Sequence, residues 1–189
     1  MKKRLAVFAS GSGTNFEAIA QACADGRLDA EVALMVCDKP GAAVVARAER
    51  FGVATFVASP KSFGSKAEFE REVIRRMDAL GIDLVCLAGY MRIISDVLLD
   101  VYGGRIINIH PSLLPAFKGA HAVEDAVAYG VKVYGITIHW VNADLDGGRI
   151  IAQRAFEYDG DDPAEVHRIG QKIEHALYIE TIQKLLKNL

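Results

Sequence analysis

Short apolar runs alternate with helix-length amphipathic segments through the first two thirds of the chain, and this alternation restricts the fold more than any other feature. The runs fall at residues 5–9, 31–37, 54–57, 83–87 and 106–109. Apolar side chains at helical spacing predict helices over about 15–24, 42–51 and 66–80. Strands joined through such helices lie parallel, because the crossover returns the chain to the same end of the sheet. Further on, a helix near 122–128 leads to a strand at 134–141. The next strand, 149–156, follows a short loop carrying Gly147 and Gly148. That loop is too short for a crossover, so these two strands should be antiparallel. A last helix over about 163–187 begins on Pro163 and sets Val166, Ile169, Ile173 and Leu177 on one stripe. The expected fold class is α/β: a Rossmann-like, mostly parallel twisted sheet flanked by helices, with an antiparallel C-terminal strand pair, in a single domain over 1–189.

Composition supports one globular unit and excludes several function classes. At 189 residues the chain has the size of one domain, with 51% hydrophobic residues and 24% charged ones of both signs. A net charge of -2 offers no basic face for nucleic acid. Cys23, Cys37 and Cys86 are far apart and sit in apolar runs, which suits buried thiols in a reducing cytosol rather than a disulfide framework or a metal pair. No metal is expected. The basic start Met1-Lys2-Lys3-Arg4 is followed by an apolar run too short for a secretion signal. No stretch approaches the roughly 20 apolar residues of a membrane span, so a cytoplasmic protein without a membrane partner is expected.

Chemistry concentrates at three places. Ser10-Gly11-Ser12-Gly13-Thr14-Asn15 lies where the first strand gives way to the first helix. Glycines there permit a sharp turn, and the free amides of the helix start attract an anion. A dinucleotide fingerprint would need a third glycine where the chain has Phe16, so a single phosphate suits the turn better than a pyrophosphate. Asp38 keeps a nicotinamide-dependent dehydrogenase open as an alternative, since it could take the place of a ribose-binding acid or merely cap a loop. The second place is Asn108-Ile109-His110-Pro111 at the end of a strand. Residues two apart on a strand share a face, so Asn108 and His110 project together. The third is Asp146 before Gly147 and Gly148, where a turn can point the carboxylate inward toward a histidine. The Asn108 and His110 pair and the Asp146 loop are each, taken alone, more often ordinary structure, whereas the glycine turn favours an anion; together the three suggest a site.

The chain resembles the phosphoribosylglycinamide formyltransferase family of folate-dependent enzymes. The resemblance rests on Gly-Ser-Gly-Thr-Asn at 11–15, Leu-Ala-Gly-Tyr-Met-Arg-Ile-Ile at 87–94, Asn-Ile-His-Pro-Ser-Leu-Leu-Pro at 108–115 and Leu-Asp-Gly-Gly at 145–148. It implies direct transfer of a formyl group from 10-formyltetrahydrofolate, a co-substrate, to the amine of a phosphorylated ribosylglycinamide, without metal. By the same resemblance Asn108, His110 and Asp146 are catalytic, with His139 in support. Gly13, Thr14 and Asn15 hold the phosphate, Gly89 and Met91 line the glycinamide site, and Gln171 and Glu174 face the ribose. Leu87, Arg92, Ile93, Ile94, Leu99, Ile106, Val141 and Asn142 are expected to form the folate slot. The implied layout has a phosphate-binding half over about 1–100 and a folate-binding, catalytic half over about 101–189. Small-molecule substrates and a monomer or weak homodimer are expected. Methionyl-tRNA formyltransferase and formyltetrahydrofolate hydrolase share the His-Pro and Leu-Asp-Gly motifs but carry further domains, and the hydrolase reaction remains an alternative.

Overall fold

The computed structural model describes residues 2–188; Met1 and Leu189, the two ends of the expected 1–189 domain, lie outside the described residues. Strands β1 (Lys3–Phe8), β2 (Ala30–Cys37), β3 (Thr55–Val57), β4 (Leu84–Leu87), β5 (Ile106–His110), β6 (Val133–Trp140) and β7 (Ile150–Glu157) form one sheet in the order β3-β2-β1-β4-β5-β6-β7. Helices are α1 (Thr14–Ala24), α2 (Ala43–Arg50), α3 (Lys66–Leu80), α4 (Asp96–Tyr102), α5 (Ala122–Tyr129) and α6 (Pro163–Leu186). Strands β1 to β5 run parallel, while β6 runs antiparallel to both β5 and β7. The expected α/β sheet is present, and the reversal extends one neighbour further than the C-terminal pair. Helix α4 was not expected. Its seven residues are too few for an apolar period to distinguish helix from strand or loop.

Alternate residues of β1 serve opposite layers of the molecule. Leu5 and Val7 pack with Phe16 and Ile19 of α1, Val44 of α2, and Leu177 and Tyr178 of α6. Ala6 and Phe8 pack with Phe69, Val73 and Met77 of α3 and Leu98 and Tyr102 of α4. Because both faces are covered, the central strands are apolar throughout, which is why they read as continuous runs. From β1 the chain builds outward through β2 and β3, then returns to β4 on the other side. The sheet order therefore reverses between β1 and β4, and a crevice opens beyond their C-terminal ends. Tyr178, fully buried on α6, supports that place by donating from its hydroxyl to the Leu87 carbonyl at 2.8 Å.

The glycine turn after β1 has a specific steric cause. Gly13 takes a φ of 76° just before α1, and a Cβ there would lie 2.4 Å from Val44 Cγ2 of α2. Phe16, where a dinucleotide-binding turn would have its third glycine, is buried and meets Phe51 edge-on with ring centroids 6.4 Å apart. Close approach in this chain thus belongs to Gly13 and α2. Gly11 by contrast has open space around it. Gly13→Ala should lose about 2–4 kcal/mol, from the left-handed φ and the overpacking together, whereas Gly11→Ala should stay within about 0.5 kcal/mol of wild type. Urea unfolding of the two variants checks this, and equal losses would show that Val44 does not restrict the turn.

Candidate active site

A cleft of about 580 Å³ occupies the crevice. Four segments wall it: the glycine turn after β1, residues 87–94 after β4, the end of β5 with Asn108 and His110, and His139 with the loop that follows β6. Gln171 and Glu174 of α6 close one side.

Strand register brings the polar groups together. Asn108 of β5 is the cross-strand partner of His139 of β6, so their side chains share a face, and Asn108 Nδ2 stands 3.2 Å from His139 Nε2. His110, two residues beyond Asn108, emerges on the same face. Its ring is buried between two acceptors: Nε2 is 2.8 Å from the Phe117 carbonyl and Nδ1 is 3.5 Å from Asp146 Oδ2. His139 Nδ1 donates to the Trp140 carbonyl at 2.9 Å, and its Nε2 lies 3.6 Å from the other oxygen of Asp146.

Asp146 reaches this position because its backbone adopts the left-handed conformation, φ 46°, which Asp tolerates better than most residues. The turn aims the carboxylate inward, where Oδ2 accepts the Gly119 amide at 2.8 Å. Hydrogen bonding from His139, then from the Gly119 amide, with the charges of His110 and His139 added, outweighs the opposing effect of burial and lowers the Asp146 pKa to about 2. The Phe117 carbonyl and the Gly119 amide carry no sequence signal. Pro115 and Gly119 mark a loop, but nothing in their spacing shows that it folds back over β5.

At the glycine turn, Gly13 supplies no side-chain cap, so the first amides of α1 are not occupied by one. Asn15 Nδ2 donates to Glu174 Oε2 at 2.8 Å, and Gln171 Nε2 donates to Thr14 Oγ1 at 3.1 Å. Asn15 Oδ1 is buried and has no hydrogen-bond partner among the described residues. Two α6 residues one turn apart thus stand against the turn, and the cleft draws on both halves of the chain. Leu87, Gly89, Met91, Arg92, Ile93, Ile94, Val141 and Asn142 also line the cleft. Met91 and Ile93 are 62% and 61% exposed, an apolar surface open to the cleft. Ile106 and Leu99, expected in the same slot, do not line it; they pack in the core cluster behind. His167, which the sequence did not single out, also borders the cleft.

Asp38 is not available to a ribose. It is 2% exposed, and its two oxygens are taken by the Ser10 hydroxyl and by Arg92 Nε. Among the described residues no three His, Cys, Asp or Glu side chains are grouped to hold a metal ion, and no helix is long and apolar enough to cross a membrane.

Residues 3–182 match the family model described as formyl transferase. The chain is 51% identical over 185 residues to the phosphoribosylglycinamide formyltransferase of Bacillus subtilis, covering 97% of this chain and 95% of that protein. It is 37% identical over 183 residues to the human trifunctional purine biosynthetic protein adenosine-3, covering 96% of this chain and 18% of that one. Among solved structures, glycinamide ribonucleotide transformylase 1 from Geobacillus kaustophilus superposes with a TM-score of 0.95 at 49% identity, over 98% of this chain and 100% of that chain.

The Asp146 environment has a thermodynamic consequence with a defined sign. A carboxyl lowered from 3.8 to about 2 in the folded state stabilises the fold fully above about pH 4, and this contribution is lost as pH falls through about 2. Wild type should therefore exceed Asp146→Asn in stability by roughly 2 kcal/mol above pH 4, with the gap closing toward pH 2. Urea unfolding of both proteins across pH 2–6 checks this; a gap independent of pH would contradict the paired carboxylate.

Proposed function

This chain belongs to the formyl transferase family, and on that premise we propose that it transfers the formyl group of 10-formyltetrahydrofolate to the amine of 5'-phosphoribosylglycinamide, giving 5'-phosphoribosyl-N-formylglycinamide for purine synthesis. The observation that carries this reading is the convergence of Asn108, His110 and Asp146 in a cleft bordered by an amide-rich helix start and by an apolar wall. The first suits a phosphate and the second a flat heteroaromatic ring, so donor and acceptor would meet at the polar centre.

In the reaction proposed, the glycinamide amine attacks the formyl carbon and forms a C–N bond. The carbonyl electrons move to oxygen, giving a tetrahedral intermediate with an oxyanion. The Asn108 amide and the Nε2–H of His110, which in the free protein donates to the Phe117 carbonyl, are the donors suited to that oxygen, and donors already positioned lower such a barrier strongly. Collapse breaks the bond between the carbon and the folate nitrogen. That nitrogen gains the proton that the attacking amine loses, relayed by His110 or by water. Asp146 holds His110 in place throughout, and His139, the cross-strand neighbour of Asn108, supports the cluster from behind.

On the acceptor side, Gly13, Thr14 and Asn15 would take the phosphate, with Gln171 and Glu174 at the ribose and Gly89 and Met91 beside the glycinamide. On the donor side, Leu87, Arg92, Ile93, Ile94, Val141 and Asn142 would hold the pterin. The closure of Asp38 by Ser10 and Arg92 argues against a dinucleotide in the same crevice.

Absorbance of the folate, followed with the ribonucleotide or with water alone as acceptor, tests the reading. Turnover should require the ribonucleotide and persist under exhaustive chelation. Formate release without ribonucleotide would indicate a hydrolase, and reduction of a nicotinamide cofactor would indicate a dehydrogenase. Asn15→Ala should raise the ribonucleotide KM about tenfold, the scale of one hydrogen bond to a charged group, with kcat nearly unchanged, because the contact exists before and during the transition state. A fall in kcat at constant KM would remove Asn15 from the phosphate site.

A further inference from the structure

Residues 88–95, between β4 and α4, form a strap that carries Met91, Arg92, Ile93 and Ile94 along the cleft without helix or strand of its own. Two nearly inaccessible carboxylates hold it, one near each end. Asp38, just beyond β2, accepts from the Ser10 hydroxyl with one oxygen and from Arg92 Nε at 2.7 Å with the other. The Ser10 hydroxyl in turn accepts the Met91 amide at 2.9 Å, and the Ser10 amide donates to the Gly89 carbonyl at 3.1 Å. At the far end Glu70 of α3, 4% exposed, accepts both the amide of Ser95, at 3.1 Å, and its hydroxyl.

The second contact is informative because Ser95 is the N-cap residue of α4 and yet makes no side-chain cap there. Its hydroxyl is turned to Glu70 instead, so a local bond is given up for one between distant segments. A buried carboxylate is tolerated only when its oxygens are occupied. Here the occupying donors belong to the strap itself, or to the serine that grips it. Neither carboxylate lines the cleft.

We propose that Asp38 and Glu70 are positioning residues that together hold the 88–95 strap in the setting that receives the formyl donor, an inference resting on the reading of this wall as a folate slot. The two act at different places. Asp38 sets Arg92, on the proposed donor side, and through Ser10 Met91, on the proposed acceptor side, whereas Glu70 sets Ser95 and through it the adjoining Ile94, on the donor side alone.

Asp38→Asn and Glu70→Gln test this in the full chain. Each keeps the shape but leaves one acceptor oxygen where two donors need partners. Both variants should raise the KM for 10-formyltetrahydrofolate by roughly ten- to a hundredfold, the scale of a small misplacement at a binding wall. The ribonucleotide KM should rise in Asp38→Asn and stay at the wild-type value in Glu70→Gln. Amide hydrogen exchange should quicken within 88–95 and remain unchanged in β1 and β4. Should Asp38→Asn fail to fold, Ser10→Ala removes the same grip on Met91 and gives the same readings. Wild-type folate KM in both variants, or a parallel rise of both KM values in Glu70→Gln with faster exchange throughout the sheet, would overturn the proposal. If the wild type transfers no formyl group, the function fails on that result alone, while exchange within 88–95 still decides whether the two carboxylates hold the strap.

Discussion

The placement of one carboxylate between two histidines organises the site. Asp146 faces His110 with one oxygen and His139 with the other, and it also accepts the Gly119 amide. It thereby ties together β5, β6, the loop after β6 and the segment that folds back after Pro115. A charged group in this position is expensive to bury unless donors surround it, and the depressed Asp146 pKa, about 2, reflects how fully they do. The left-handed backbone at Asp146 is the local cost of aiming it inward. Without that charge, the direction of the polar cluster would rest on neutral hydrogen bonds alone.

The remainder of the cleft follows from topology. Reversal of the strand order between β1 and β4 opens a crevice whatever the side chains are, and the chain supplies different chemistry to its two walls. One is a helix start with open amides, backed by Gln171 and Glu174; the other is a strap bearing exposed Met91 and Ile93. Antiparallel β6 is the element that turns a generic crevice into this site. It sets His139 opposite Asn108, and the loop that follows it delivers Asp146.

Much of this was legible before any coordinates. The β1 to β5 rhythm was readable because strands covered on both faces are apolar throughout, and Asn108 with His110 because a strand has period two. What escaped was set by contacts distant in sequence. The seven residues of α4 show no period. The antiparallel pairing of β5 with β6 depends on how α5 and the loop before it pack, which no spacing reveals. Leu99 and Ile106 enter the expected slot only through the family resemblance; their apolar character by itself suits the core cluster, where they pack. Asp38 looked like a loop cap or a ribose ligand because Ser10 and Arg92, its partners, are 28 and 54 residues away.

Steady-state kinetics of Asp146→Asn test the central claim most directly. If the carboxylate orients His110 as a donor to the developing oxyanion, the amide should lower kcat by roughly a hundred- to a thousandfold, with the KM values for both substrates near wild type, since neither substrate needs Asp146 to bind. Turnover close to wild type, or a loss confined to KM, would contradict a role for Asp146 in the transition state.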